Sequence, residues 1–256
     1  MRPRPPPPRT DPSGEDESQF LAQYDPGAFE HPSVSVDVVL LTVRDGGLAS
    51  LVCKRASHPH KGRWSLPGGF IGMGESLDQA ATRVLRSKGG LSRVWLEQLY
   101  TFGALGRDPR TRVISIAYYA LIDAARLQAV ETSDALALAR VSVPWEGEAG
   151  GPVELLDEEG EPLALAFDHA DILGMAVRRI RGKLDWAPIG FQLLPREFTL
   201  LQLQNVHQAI LGRTLNKDSF RRRMLASDLL RPTGTRQAGV GHRPAELFRF
   251  TQQSAV

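Results

Sequence analysis

Residues Gly68 to Leu91, GGFIGMGESLDQAATRVLRSKGGL, constrain the fold more than any other stretch. Gly68 and Gly69 mark a turn. Ser76 then stands where a helix N-cap is expected, and Ala80, Ala81, Val84 and Leu85 recur at helical spacing. Gly89 and Gly90 stop the run. The spacing predicts a helix over Ser76–Ser87 whose apolar stripe must be buried against another element.

The flanking segments read as strands. SVSVDVVLLTV (33–43) is β-branched and partly alternating, and it closes at Asp45-Gly46-Gly47, so Leu48–Arg55 completes a hairpin. HPHKGRWSLP (58–67) is a loop leading to the glycines. Val94–Leu105 and Val113–Asp123 are strands around an arginine-laden turn, GRDPRTR (106–112), and shorter strands follow near Ala137–Val143 and Val153–Leu156. Phe167–Leu184 is a helix with Asp168 at its cap, Asp171 in its first turn, and Ile172, Met175, Ala176 and Ile180 on one face. Asp168, His169 and Asp171 read better as this helix start than as a metal site, and His58 and His60 read as exposed loop histidines. Met1 to about Pro32 holds a proline run and polar residues and is expected to be disordered.

Pro188, Gly190 and Pro195 break any helix across Asp185–Pro195. Thr199 caps a helix over Leu200–Gly212, and Asn216 or Asp218 opens a second that runs to about Ser227. Two short strand-like pieces follow, the later being Glu246–Phe250, with a glycine-rich tip between them. Helix, turn, basic helix and hairpin is the order of a winged helix-turn-helix, whose second helix enters the DNA major groove. At 100° per residue, Phe220, Met224 and Ser227 face inward, leaving Asp218, Ser219, Arg221 and Arg222 outward. The expected DNA contacts are Thr199, Lys217, Ser219, Arg221, Arg222, Arg236 and Arg243, with His242 also on the wing. A solvated basic face is the alternative reading.

The net charge of +2 names no partner, but Arg213–Arg249 is arginine-rich while Glu146–Asp171 is mostly acidic. The single cysteine, Cys53, cannot form an internal disulfide, no apolar run spans a bilayer, and MRPRPPPPRT has no apolar signal core. These features fit the cytoplasm.

Gly69, Glu75, Arg83, Leu85, Gly90 and Leu91 fall, without insertion or deletion, on a pattern of glycine, five residues, glutamate, seven residues, then Arg-Glu-apolar-x-Glu-Glu-x-Gly-apolar. The stretch resembles a Nudix box. The resemblance implies an α/β/α sandwich, here followed by a winged helix: an α/β (α+β) chain with a tail over 1–32, an effector domain over 33–185 and a DNA-binding domain over 186–256. Active Nudix proteins hold magnesium or manganese with three later glutamates. This chain has Val84, Ser87 and Lys88 there, so no metal and no hydrolysis are expected.

With KGRWSLPGGF, LAFDHADIL, FTLLQLQNVHQAILGRTLNKDSFRRRML and GHRPAELFRF, the chain is similar to the Nudix-related transcriptional regulators of NAD metabolism. That family implies a dimeric bacterial repressor of NAD biosynthesis or salvage genes, found at the nucleoid when bound. It would sense ADP-ribose or a related nucleotide, need no cofactor and bind palindromic operator DNA. The expected effector contacts are Arg55, Trp64, Gly68, Gly69, Glu75, Arg83 and Arg112, with exposed loop arginines the alternative reading for Arg107, Arg110 and Arg112. Arg107 and Arg110 are further candidates, because a phosphate pocket without metal needs fixed cations. Glu75 and Arg83 are expected first to hold the loop by a salt bridge. Two rival readings are an active ADP-ribose pyrophosphatase with an accessory domain and a nucleotide-binding adaptor whose C-terminal part binds protein.

Overall fold

In the computed structural model, residues 16–28, 30–127, 133–239, 241 and 243–251 are described, and the chain divides into two units, Met1–Pro32 and Ser33–Val256. In the first unit a helix, α1 (Glu17–Gln23), departs from the disorder expected there. Its cause is local: Asp16 caps it by accepting from the Gln19 N–H at 2.8 Å, and Phe20 meets Tyr24 one turn on, ring centres 5.7 Å apart. A turn of 3-10 helix follows at Pro26–Ala28. The proline run lies outside the described residues.

The second unit is built on β1 (Ser33–Arg44), an apolar strand buried over most of its length because it lies inside a sheet covered on both faces. β2 (Gly47–Lys54) returns beside it, antiparallel. The sheet continues with β3 (Trp64–Ser65), β4 (Gly68–Phe70), β5 (Trp95–Phe102), β6 (Val113–Leu121), β7 (Leu136–Ser142) and β8 (Glu154–Leu156). Its order is β5-β6-β1-β2-β7-β8, with β3 on β2 and β4 on β1; β6 runs parallel to β1 and the other pairings are antiparallel. β3 and β4 are too short to show a period of two, so their strand character is silent in the sequence.

Side-chain alternation sorts β1 between two cores. Val36, Val38 and Leu40 pack with Ala80, Ala81, Val84 and Leu85 of α2 (Leu77–Gly89). Val39 and Leu41 pack with Ile172, Ala176 and Ile180 of α4 (His169–Lys183), a short α3 (Ala124–Leu127) having intervened. The sandwich is thus α2, sheet, α4. Burial of each Leu, Ile or Val contributes about 1.5–3 kcal/mol. Ser76 and Gln79 close a reciprocal cap on α2, and Gly90 ends it in the left-handed region at φ 63°.

The α4 core runs on without a break into the C-terminal part, taking in Phe198, Leu203, Val206, Ile210, Phe220, Met224 and Phe248. The proline-broken segment is more than a connection: Pro188–Leu193 forms a 3-10 turn that buries Ile189, Phe191 and Leu193, and Phe191 stacks on Phe250 at 4.3 Å. Thr199 and Gln202 cap α5 (Leu200–Leu211), Gly212 ends it at φ 67°, and the Asn216 side chain caps α6 (Lys217–Leu225). β9 (Leu230–Arg236) and β10 (Glu246–Phe250) form the wing, joined to the chain before α5 by paired backbone bonds between Phe198 and Phe248. Among the described residues no helix is long and apolar enough to cross a membrane.

Candidate functional site

A cavity of about 200 Å³ opens where β1, β2, β4, the β5–β6 turn and the start of α4 converge. Arg55, Lys88, Arg107 and Arg110 line it, against two acids, Asp37 and Asp108. Gly68 sits opposite Asp37 across the β1–β4 pairing. A Cβ there would lie 2.0 Å from Asp37 Oδ1 and 3.0 Å from the Val36 carbonyl, so only glycine fits.

The floor is a buried polar network. Ser115 Oγ donates to Asp37 Oδ2 at 2.5 Å, and Arg107 Nη2 and His169 Nε2 each stand 3.7 Å from Asp37. Arg107 forks onto Asp168, Nε to Oδ2 at 2.8 Å and Nη2 to Oδ1 at 2.6 Å. The Leu66 N–H donates to His169 Nδ1 at 2.9 Å, which leaves the proton on Nε2; burial pushes the His169 pKa down and keeps the ring neutral. Arg110 forks onto Asp108 in the same way, and its hydrogen bonds hold that carboxyl below its usual range. Phe167 closes one side, with the Arg55 guanidinium 4.7 Å from its ring centre.

Arg55, Gly68, Gly69, Arg107 and Arg110 are therefore on the wall. Trp64 is not. In the two-residue strand β3, Ser65 faces this cavity, so Trp64 must face away. It borders a separate space of about 370 Å³ with Arg44, Asp157 and Glu158. Arg112 folds back to donate to the Ala104 carbonyl at 3.1 Å and is also off the wall. Glu75 and Arg83 clasp the glycine loop instead. Arg83 reaches both Glu75 oxygens, at 2.8 and 2.6 Å, and the Phe70 carbonyl; Glu75 also accepts from the Gly72 N–H. Hydrogen bonds from Arg83, then from Gly72, hold the Glu75 pKa at about 2. Asp168 occupies the cap position of α4 but makes no cap bond, because Arg107 holds its carboxylate. Sequence reasoning missed Asp37 and Phe167; the one signal for Asp37 was an acid interrupting an apolar strand.

The positions that carry glutamates in the Nudix pattern present no such ligands. Val84 is 1% exposed inside the α2 core. Ser87 Oγ donates to the Val84 carbonyl, and Lys88 Nζ donates to the Gly68 carbonyl at 2.5 Å. Among the described residues no group of three His, Cys, Asp or Glu side chains could hold a metal ion. The residues present do not fit a divalent cation, which requires clustered oxygen ligands.

The second candidate surface is α6 and the wing. Phe220 and Met224 are buried, as the helical spacing predicts, and Lys217, Ser219, Arg221 and Arg222 are exposed. No carboxylate pairs with Lys217, Arg221 or Arg222 among the described residues, whereas Arg223 lies 3.6 Å from Asp185. Arg236 and Arg243 are exposed at the wing, and His242 lies outside the described residues. Thr199 is not part of this surface. It is 3% exposed and its hydroxyl accepts from the Gln202 N–H, so the group expected to face DNA is taken up by the helix cap.

Comparison with known proteins bears on both surfaces. The family model described as the NrtR DNA-binding winged helix domain matches residues 190–250, and that of the NUDIX domain matches residues 31–146. Over 93% of its length the chain is 36% identical to the "ADPR responsive transcriptional repressor NtrR" of Acinetobacter baylyi, covering 89% of that protein. It is 31% identical, over 56% of its length and 72% of the relative's, to an ADP-ribose pyrophosphatase of Methanocaldococcus jannaschii. Shewanella oneidensis NrtR, crystallised with a 27-mer DNA, superposes with a TM-score of 0.69 at 32% identity, over 85% of this chain and 93% of that one. The chain belongs to the NrtR family of transcriptional regulators, which join a Nudix domain to a DNA-binding winged helix.

Proposed function

We propose that this protein is a transcriptional repressor whose Nudix part, residues 33–185, binds ADP-ribose or a close NAD-derived nucleotide without hydrolysing it. Residues 186–256 would read operator DNA. The observation that carries this reading is the pairing of two surfaces in one chain. One is a pocket furnished with Arg55, Lys88, Arg107 and Arg110 but, among the described residues, no metal-holding cluster of acids; the other is a helix whose exposed Arg221 and Arg222 meet no acid among the described residues. A diphosphate suits the first, since forked guanidinium donors match phosphate oxygens. Gly68 and Gly69 let the backbone approach the ligand, and Glu75 and Arg83 act on it only by shaping the loop.

On the DNA side we assign Lys217, Ser219, Arg221 and Arg222 to the major groove and Arg236 and Arg243 to the flanking backbone or minor groove. A homodimer on a palindromic site, in the cytoplasm and controlling genes of NAD biosynthesis or salvage, completes the reading. The 36% identity to an ADP-ribose-responsive repressor supports it.

The similarity to an ADP-ribose pyrophosphatase favours a second reading, hydrolysis. An assay for AMP release from ADP-ribose with magnesium or manganese separates the two. Our reading expects no turnover with saturable binding; turnover of about 1 per second or faster would replace it.

A further inference from the structure

Three of the helix starts in the second unit share one design. Ser76, Thr199 and Asn216 hold extended backbone, with ψ of 166°, 159° and 122°, and each side chain accepts a bond from its helix. Asp168, at the start of α4, does neither: its ψ is 24° and its carboxylate makes no cap bond. An aspartate is among the best capping residues, so something stronger holds it away. That is Arg107, 4% exposed at its side chain, forked onto both oxygens while its guanidinium lines the pocket. Phe167, immediately before it, has φ 55°, a strained conformation for a residue with a side chain, and Phe167 also lines the pocket.

The other end of α4 is tied to the DNA-binding part. Arg181, 6% exposed, donates Nε to the Ile210 carbonyl of α5 at 2.8 Å and Nη1 to the Gly147 carbonyl at 2.9 Å. Its guanidinium is 4.8 Å from the Trp145 ring centre. The fifteen residues of α4 thus make a rod of about 22 Å, at 1.5 Å per residue, with the pocket at its start and the helix-turn-helix at its end.

We propose that the nucleotide acts by taking Arg107 from Asp168, and that the freed Asp168 caps α4, whose shift reaches α5 through Arg181. The inference rests on the reading of the pocket given above. A guanidinium fork that serves a carboxylate serves a phosphate by the same two bonds, and a diphosphate beside Asp168 and Asp37 would otherwise meet like charge. Asp168 then has two arrangements, bound to Arg107 or capping, and the ligand favours the second. Such differential interaction is what an effector requires in order to shift an equilibrium.

The test uses the full chain as wild type, Asp168→Ser, Asp168→Asn and Arg181→Lys. ADP-ribose affinity is measured by calorimetry, and operator affinity by fluorescence anisotropy with and without saturating ADP-ribose. Serine can cap but cannot hold Arg107. Asp168→Ser is expected to bind ADP-ribose about tenfold tighter and to show, without nucleotide, the operator affinity of liganded wild type. Asp168→Asn is expected to shift both in the same direction by less, and stands in if the serine variant does not fold. Arg181→Lys is expected to bind ADP-ribose normally while its operator affinity no longer responds. In wild type, ADP-ribose is expected to slow hydrogen exchange of the first-turn amides of α4. Tighter ADP-ribose binding with a full operator response in the Asp168 variants would reduce Asp168 to a mere negative charge and overturn the proposal. So would unaltered affinity in them, a full response in Arg181→Lys, or unchanged exchange. Failure of wild type to bind ADP-ribose would defeat the pocket reading and this inference with it, whereas normal wild-type binding with those results defeats this inference alone.

Discussion

Arg83, Arg107 and Arg110 each face a carboxylate through forked hydrogen bonds, whereas Arg221 and Arg222 face none among the described residues. The first group is fixed in place before any ligand arrives, and Arg107 is also buried. The second is exposed to solvent, which suits a polyanion whose phosphates repeat along a groove. Arginine number alone therefore says little about function. What separates Arg83, Arg107 and Arg110 from Arg221 and Arg222 is whether the guanidinium is already satisfied. Removing a satisfied, buried one should damage the fold, and removing an unsatisfied one should damage only DNA binding.

That contrast can be broken in several places. Arg107→Ala leaves Asp168 and Asp37 without their cation and is expected to cost about 3–5 kcal/mol in urea unfolding, with ADP-ribose binding lost. Acid should loosen the seam between the regions next. His207, 5% exposed on α5 with its Nδ1 unpartnered, has its pKa lowered to about 4 by burial, then by Arg223. The unfolded chain takes up the proton near pH 6.5 while the folded chain resists to about 4. Stability is therefore full above pH 6.5 and falls by about 3 kcal/mol on the way down to pH 4. His207→Leu should flatten that slope in melts across the window. Gly68→Ala, pressing on Asp37, is expected to cost about 2 kcal/mol and to weaken ADP-ribose binding in calorimetry. Arg222→Ala should weaken operator binding about tenfold in anisotropy, lower the salt slope by about one, and leave the melting temperature and ADP-ribose affinity unchanged. A large melting shift in Arg222→Ala, or none in Arg107→Ala, would erase the distinction between the two regions.

The sequence made the local features legible and left the distant ones dark. Thr199 and Gly212 bound α5 as their chemistry demands, and Phe220 and Met224 face inward as the helical period requires. The Gly69–Leu91 spacing located α2 and the clasp of Glu75 by Arg83, eight residues apart. Trp64 faces away from the cavity, and its side is not legible in the sequence because two residues of strand give no alternation to read. Asp168 reads as a cap from its neighbours, but its partner lies 61 residues away, and no local rule weighs a distant guanidinium against a helix N–H. Thr199 caps α5 as its chemistry suggests, and the same bond keeps its buried hydroxyl away from the exposed face of α6.

The central claim is that a pocket in which Arg107 and Arg110 are already held by carboxylates governs a helix whose Arg221 and Arg222 are not, by binding and without chemistry. Its most direct test is to titrate ADP-ribose into the protein bound to fluorescent operator DNA and read anisotropy alongside the fate of the nucleotide. The account predicts a saturable change in DNA binding with ADP-ribose recovered intact. An unmoved DNA signal, or nucleotide recovered as AMP and ribose phosphate, would contradict it.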